Sequence, residues 1–271
     1  MDVYYNIVPN VRILVVISVD EISKDILSPY LIYSRPFQYK QIILYPVCMD
    51  QILEFLMYKE SIIIRKDSTF RDRNIIKMTY MDFLIYCFNH PELDEKYKIN
   101  GLHNYYQVAI LLLQMVCKDQ EFKIVDKYLY INNVKITSEI FDDLRRIIIL
   151  QNDIDFDIDE FIHYDTEKAL KKAENATNKD ADNANIEDYI DSLSIAIGYS
   201  EEQIMKMSIR KFWRYIKRYN LYENYTICKT AEQSRMVKYK EPIKHWITSI
   251  DGKDKYKDLK ADEGTLRGKV G

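Results

Sequence analysis

Phe122-Lys-Ile-Val125, Tyr128-Leu-Tyr-Ile131 and Val134-Lys-Ile136 are three short runs in which apolar and polar residues alternate. Asp126-Lys127 and Asn132-Asn133 separate them. Alternation with period two marks a half-buried strand, and Asn tolerates the positive φ that a tight hairpin demands. The stretch therefore predicts a three-stranded antiparallel meander.

Working outward, Thr137 or Ser138 is placed to cap a helix running to about Leu150. Its acidic residues come early and Arg145-Arg146 later, which complements the helix dipole. On the other side, Asn104 to Cys117 is apolar nearly all round and predicts a buried core helix. Tyr80 to Phe88 predicts another helix, ending near His90-Pro91 because the residue before proline avoids the α region. Asp50 is expected to cap a helix from Gln51 to Tyr58, with Ile52, Phe55 and Leu56 on one face. Strands are expected at residues 11–17, Ile42–Val47 and Ser61–Arg65.

The character of the chain changes after Gln151. Asp153, Asp155, Asp157 and Asp159 alternate with apolar residues, and Glu167 to Asn185 is mostly Lys, Glu, Asp, Asn and Ala. Such a segment cannot bury a core and is expected to be a linker. From Ile186 large apolar residues return at helical spacing. Gly198 is a natural helix stop, Ser200-Glu-Glu-Gln203 a capping box, and Ser208 a further cap. The helix begun there is expected to end at Asn220. A second should cover Glu223 to Arg235, and Pro242 should start a short one through Trp246 to Ile250. The expected fold is α+β: a mixed body at 1–160 holding the meander and packed helices, a linker at 161–185, a small all-α module at 186–252 and a charged tail at 253–271.

Composition narrows the function classes. Of 271 residues 47% are hydrophobic, enough for a core, and the net charge is -3. With 6 Gly and 6 Pro, loops are expected to be short. The longest apolar run, Val108 to Cys117, has about half the length that a membrane helix needs. The first residues do not have the charge pattern of a secretion signal, so a cytoplasmic protein is expected.

Motifs for chemistry are missing. Cys48, Cys87, Cys117 and Cys228 lie far apart without CxxC spacing and are expected to be buried, reduced thiols. His90, His103, His163 and His245 are scattered. The aspartate run fails as a calcium loop, since the sixth and twelfth positions from Asp153 hold Ile158 and Tyr164 in place of Gly and Glu. No glycine-rich phosphate loop or nucleophile elbow occurs. No catalytic residue, metal ligand or cofactor is expected.

Charge is distributed unevenly. Between Ser208 and Trp246 ten Lys or Arg stand against three Glu. Arg210, Lys211, Arg214, Lys217 and Arg218 share one helix with Phe212, Trp213 and Tyr215, and Lys244 lies close to Trp246. These ten residues are the expected partner-binding set, because aromatic and Arg anchors dominate interface energetics. A solvated helix face, a protein-binding surface and a phosphate-binding face all share this composition. The slightly acidic chain as a whole disfavours nucleic acid. The aspartates from 153 onward are a candidate internal counterpart to the basic helix.

Ile197-Gly-Tyr-Ser-Glu-Glu-Gln-Ile-Met-Lys-Met-Ser-Ile-Arg-Lys-Phe-Trp213 resembles a short motif of bacteriophage tail assembly chaperones. That motif has a small turn, an acidic first helical turn and a Ser/Thr-x-Arg entry into a second helix. Tyr225 to Trp246 is similar to the C-terminal region of morphogenesis proteins in phages of Gram-positive bacteria, and Phe37 to Val47 to the opening of their N-terminal domain. The resemblance implies a non-enzymatic protein of the host cytoplasm, or of the virion itself, that escorts tape-measure or tube proteins. A nucleic-acid-binding or regulatory role is the alternative, and self-association remains open.

Overall fold

The computed structural model describes residues 22, 24–125, 128–158, 184–234, 237–239 and 241–250. The strand expected at 11–17, the linker except its last two residues, and the tail lie outside the described residues. The fold is α+β, with the mixed sheet-and-helix part before the C-terminal helices.

In chain order the elements are α1 (Lys24–Tyr33), β1 (Phe37–Tyr39), β2 (Ile42–Leu44), α2 (Ile52–Lys59), α3 (Lys66–Thr69), α4 (Arg73–Lys77), α5 (Tyr80–Asn89), α6 (Leu93–Tyr97) and α7 (Tyr105–Val116). Next come β3 (Phe122–Val125), β4 (Tyr128–Ile131), β5 (Val134–Lys135) and α8 (Ser138–Gln151), then α9 (Ile186–Ile197), α10 (Glu201–Met205) and α11 (Ile209–Gln233).

The meander forms as expected, antiparallel in the order β3-β4-β5, with Phe122 opposite Ile131 and Tyr130 opposite Lys135. Asn132 takes a φ of 54°, the left-handed turn residue that the sequence called for. Leu129 and Ile131 turn into the core, while Ile124 and Val125 stay exposed. A second antiparallel pair, β1 with β2, is tied to the meander by two side chains: Asn132 donates to the Gln41 carbonyl at 2.9 Å, and Gln120, just before β3, bonds Ile43. Gln120 accepts from the Ile43 N–H at 3.0 Å and donates to the Ile43 carbonyl at 2.6 Å.

Helix α8 runs along the core. Thr137 caps it, accepting from the Ile140 N–H, and Ile140, Phe141, Leu144, Ile147 and Ile148 are buried. Each such side chain contributes roughly 1.5–3 kcal/mol on burial. At its end Asn152 accepts from the Val47 N–H at 3.0 Å and Gln151 donates to the Leu44 carbonyl at 3.2 Å. These bonds dock the chain after β2 onto the end of α8.

Several expectations are corrected. Ser61–Arg65 is not a strand; Glu60–Ile62 forms a 3-10 turn, followed by irregular chain. Side chains satisfy its backbone groups in place of a strand partner. The Tyr80 hydroxyl donates to the Ser61 carbonyl at 3.0 Å and accepts from the Ile64 N–H at 3.0 Å, and Arg145 Nε bonds the Ile62 carbonyl. Helix α2 is entered through a 3-10 turn, Met49–Gln51, so Asp50 does not cap it. Helix α7 is buried on one side only, with Gln107, Leu111 and Gln114 exposed. The helix from Ser208 does not stop at Asn220 but continues to Gln233, and Pro242 starts no helix.

Candidate functional site

The C-terminal helices begin with the caps read from the sequence. Asn185 and Asp188 form a capping box on α9, Gly198 ends it with φ 69°, and Ser200 with Gln203 forms the box on α10. Ser208 caps α11, accepting from the Lys211 N–H. Asn220 does not end α11 because an isolated Asn costs a helix only a fraction of a kcal/mol against Ala, and neither Gly nor Pro follows it. Side-chain bonds at i, i+4 spacing line the helix beyond it. The Tyr219 hydroxyl reaches Glu223 at 3.2 Å, Thr226 donates to the Tyr222 carbonyl at 2.9 Å, and Thr230 donates to the Thr226 carbonyl at 2.8 Å.

The start of α11 is built into the body. Met49 donates to the Met207 carbonyl and Ile209 to the Val47 carbonyl, both at 2.9 Å, and the Ser34 and Ser208 hydroxyls lie 2.8 Å apart. Ile190, Leu193, Ile204, Ile209 and Phe212 join the apolar cluster of the body. Arg210, with 10% of its side chain exposed, donates to Asp153 Oδ1 at 2.9 Å, and Lys217 donates to Oδ2 at 2.9 Å. Asp153 itself sits at φ 54°, two residues after the last residue of α8.

The ten expected partner-binding residues therefore separate into groups. Phe212 is fully buried and Arg210 nearly so, which corrects their expected place on a contact surface. Lys217 is turned to the same aspartate. Trp213 is half-buried, its ring edge-on to Tyr189 at 5.2 Å and to Phe212 at 5.1 Å. Arg218 donates to the Trp246 carbonyl, and to that of Thr248 at 2.9 Å. Trp246 packs edge-on against Tyr222 at 5.5 Å and stacks with His245, which in turn meets Tyr225 at 5.0 Å.

Helical spacing puts Lys211, Arg214 or Tyr215, Arg218, Tyr222 and Tyr225 in one stripe. Residues 245–248 pack along its far half, where Tyr222 stays 47% exposed. Its near half holds Lys211, with Nζ 5.3 Å from the Tyr215 ring centre, then Arg214 and Tyr215, all three half-buried, with the Tyr215 ring edge-on to Tyr199 at 6.4 Å. Lys244 is exposed beside the far half. Sequence reasoning missed Tyr222 and Tyr225 as part of this face. Their i, i+3 and i+4 spacing from Arg218 was the available signal, hidden by the stop expected at Asn220.

Elsewhere, titratable pairs hold loops. Asp94 accepts from the Gly101 N–H at 2.9 Å and the His103 N–H at 2.9 Å, and lies 2.7 Å from His103 Nδ1. Gly101 has φ 74°, so the carboxylate braces a left-handed turn before α7. Among the described residues no helix is long and apolar enough to cross a membrane. Burial pushes the thiols of Cys87 and Cys117 up to about 12.

The family model of the YomV second domain, a phage-associated family, matches residues 175–251. The match includes α9, α10, α11 and the segment that packs along α11, and it leaves the body outside. No curated protein and no solved structure matches the chain.

Proposed function

We propose that this chain is a non-enzymatic phage morphogenesis protein, a tail assembly chaperone that binds a tape-measure or tube protein through the half-buried basic and aromatic stripe of α11. The observation that carries this reading is the near half of that stripe. Lys211, Arg214 and Tyr215 stand on a helix whose first turn is anchored in the body by Phe212 and the Asp153 ion pairs. A rigidly held helix face with cationic and aromatic side chains suits an acidic or amphipathic helical partner. The YomV match over 175–251 supports a phage origin for this same segment. On this reading the protein acts in the host cytoplasm.

Protein is favoured over nucleic acid by where the cations are spent. Arg210 and Lys217 are bound to Asp153 and Arg218 to backbone carbonyls, so much of the helix's charge is engaged within the chain. A phosphate-binding face depends on many cations free to release counterions. The test is affinity purification of the full chain from phage-infected cells. Recovery of a long helical tail protein, in amounts that survive physiological salt, is the expected result. Recovery of DNA or RNA lost steeply as salt rises would transfer the reading to nucleic acid. Co-sedimentation with finished particles would make the chain a structural virion component.

A further inference from the structure

Helix α11 leaves the body before it ends. The apolar cluster of the body takes in Phe212, Trp213, Tyr215 and Ile216, and no apolar residue further along α11 joins it. After Phe212 no residue of the helix is buried. The chain then comes back along these outer turns. His245 meets Tyr225 at 5.0 Å, Trp246 meets Tyr222 at 5.5 Å, and Arg218 bonds the carbonyls of Trp246 and Thr248. Contacts step down the helix from Tyr225 to Arg218 while the second segment advances from His245 to Thr248, so that segment is an antiparallel strap.

The strap is lightly built. Residues 241–250 form no helix or strand, and none of them belongs to the apolar cluster of the body. One turn gives them shape: the Thr248 N–H donates to the His245 carbonyl at 3.2 Å, and the Ile247 N–H to His245 Nδ1 at 3.2 Å. Trp246 is half-buried, while His245, Ile247 and Thr248 are exposed. Segments with few buried apolar contacts open at a small fraction of the global cost of unfolding.

We propose that the strap is autoinhibitory: it sits on the far half of the α11 stripe until the partner displaces it. The inference rests on the reading of α11 as the binding face. The strap offers Arg218 two neutral carbonyls, and it offers Tyr222 and Tyr225 an indole and an imidazole. A carboxylate takes a guanidinium bidentately, in charge-assisted bonds roughly twice as strong as neutral ones. A partner segment with an aromatic residue beside Asp or Glu therefore reproduces both contacts and improves on the one to Arg218. Trp246 changes role on this account. The sequence puts it among the partner contacts, and the fold makes it the partner's competitor.

The experiment uses the full chain and the purified tape-measure or tube protein. Trp246→Ala removes the ring that meets Tyr222 and touches nothing in the core, so the circular dichroism spectrum should not change. Affinity should rise about threefold or more, since a site open only part of the time binds more weakly by that fraction. A partner contact at Trp246 predicts a loss instead. Fluorine NMR of the chain labelled with fluorotryptophan follows the strap itself, the Trp246 resonance being the one absent from Trp246→Phe. Arg218→Gln alone should move that resonance, and adding the tail protein to wild type should move it the same way. Binding that leaves the Trp246 resonance in place, or an affinity that Trp246→Ala leaves equal or lowers, overturns the strap and leaves the binding face standing. A resonance that Arg218→Gln does not move overturns the strap as well. No binding by wild type or by either variant overturns the reading of α11, and the inhibition with it.

Discussion

Asp153 accepts a hydrogen bond from Arg210 at 2.9 Å, joining the end of α8 to the first turn of α11 across 57 residues of sequence. The two partners differ in worth. Arg210 is nearly buried, so removing its counterion leaves a charge in a poor environment, whereas Lys217 is half-exposed on the other oxygen. Asp153→Ala should cost about 3 kcal/mol. Lys217→Ala should cost less than about 1 kcal/mol. Urea unfolding of each variant checks this, and equal small effects would show that the aspartate does not hold the helix.

Tyr80 and Arg145 replace a strand partner for the chain around Ser61. The Arg145 guanidinium lies 3.7 Å from the centre of the Tyr80 ring, and burial pushes the Tyr80 hydroxyl up to about 12. Tyr80→Phe keeps the ring but strips the Ile64 N–H and the Ser61 carbonyl of their bonds. It should destabilise by about 1–3 kcal/mol. A loss below about 0.5 kcal/mol in urea titration would mean that water takes over both groups.

Much of this fold is legible where the information is local. The meander, the caps at Thr137, Ser200 and Ser208, and the stop at Gly198 each depend on a few adjacent residues, and they stand where the pattern put them. The failures involve groups distant in sequence. Nothing near Ser61 announces that Tyr80 and Arg145 will satisfy its backbone, so a β-branched run read as a strand. Phe212 looked like a contact residue because its neighbours are basic; only the packing of α11 on the body turns it inward. The acidic run from Asp153 reads in the sequence as a candidate counterpart of the basic helix, and the fold pairs Asp153 with Arg210 and Lys217.

Asp94 supplies a pH dependence. Partial burial works against its charged form, yet the hydrogen bonds from the His103 side chain, the His103 N–H and the Gly101 N–H hold its carboxyl below the ordinary value. A depressed carboxyl contributes stability that is complete above the ordinary carboxylate range and is lost as pH falls through the lowered value. The stability gap between wild type and Asp94→Asn should therefore be widest near neutrality and close below about pH 4. Asp142, whose carboxyl burial raises, is common to both proteins and cancels in the difference. A gap that does not change with pH would remove the carboxylate from this account.

The cysteines report on packing. Cys87 and Cys117 are buried, with thiols pushed up to about 12, while Cys48 and Cys228 are partly open. Since the thiolate is the reactive form, a disulfide reagent at neutral pH should titrate Cys228 and Cys48 first. Cys87 and Cys117 should react only after denaturation. Rapid reaction of all four in the native protein would contradict the packing of α5 and α7.

On this reading the basic and aromatic stripe of α11 binds a tail protein. Its most direct test is the affinity of the full chain for the purified tape-measure or tube protein, measured for wild type and for Lys211→Glu with Arg214→Glu. Both side chains are half-buried, so the comparison holds at a temperature where circular dichroism shows the double variant fully folded. The predicted result is binding weakened at least about tenfold, or about 1.4 kcal/mol. Unchanged affinity in the double variant, or no binding by wild type, would contradict the account.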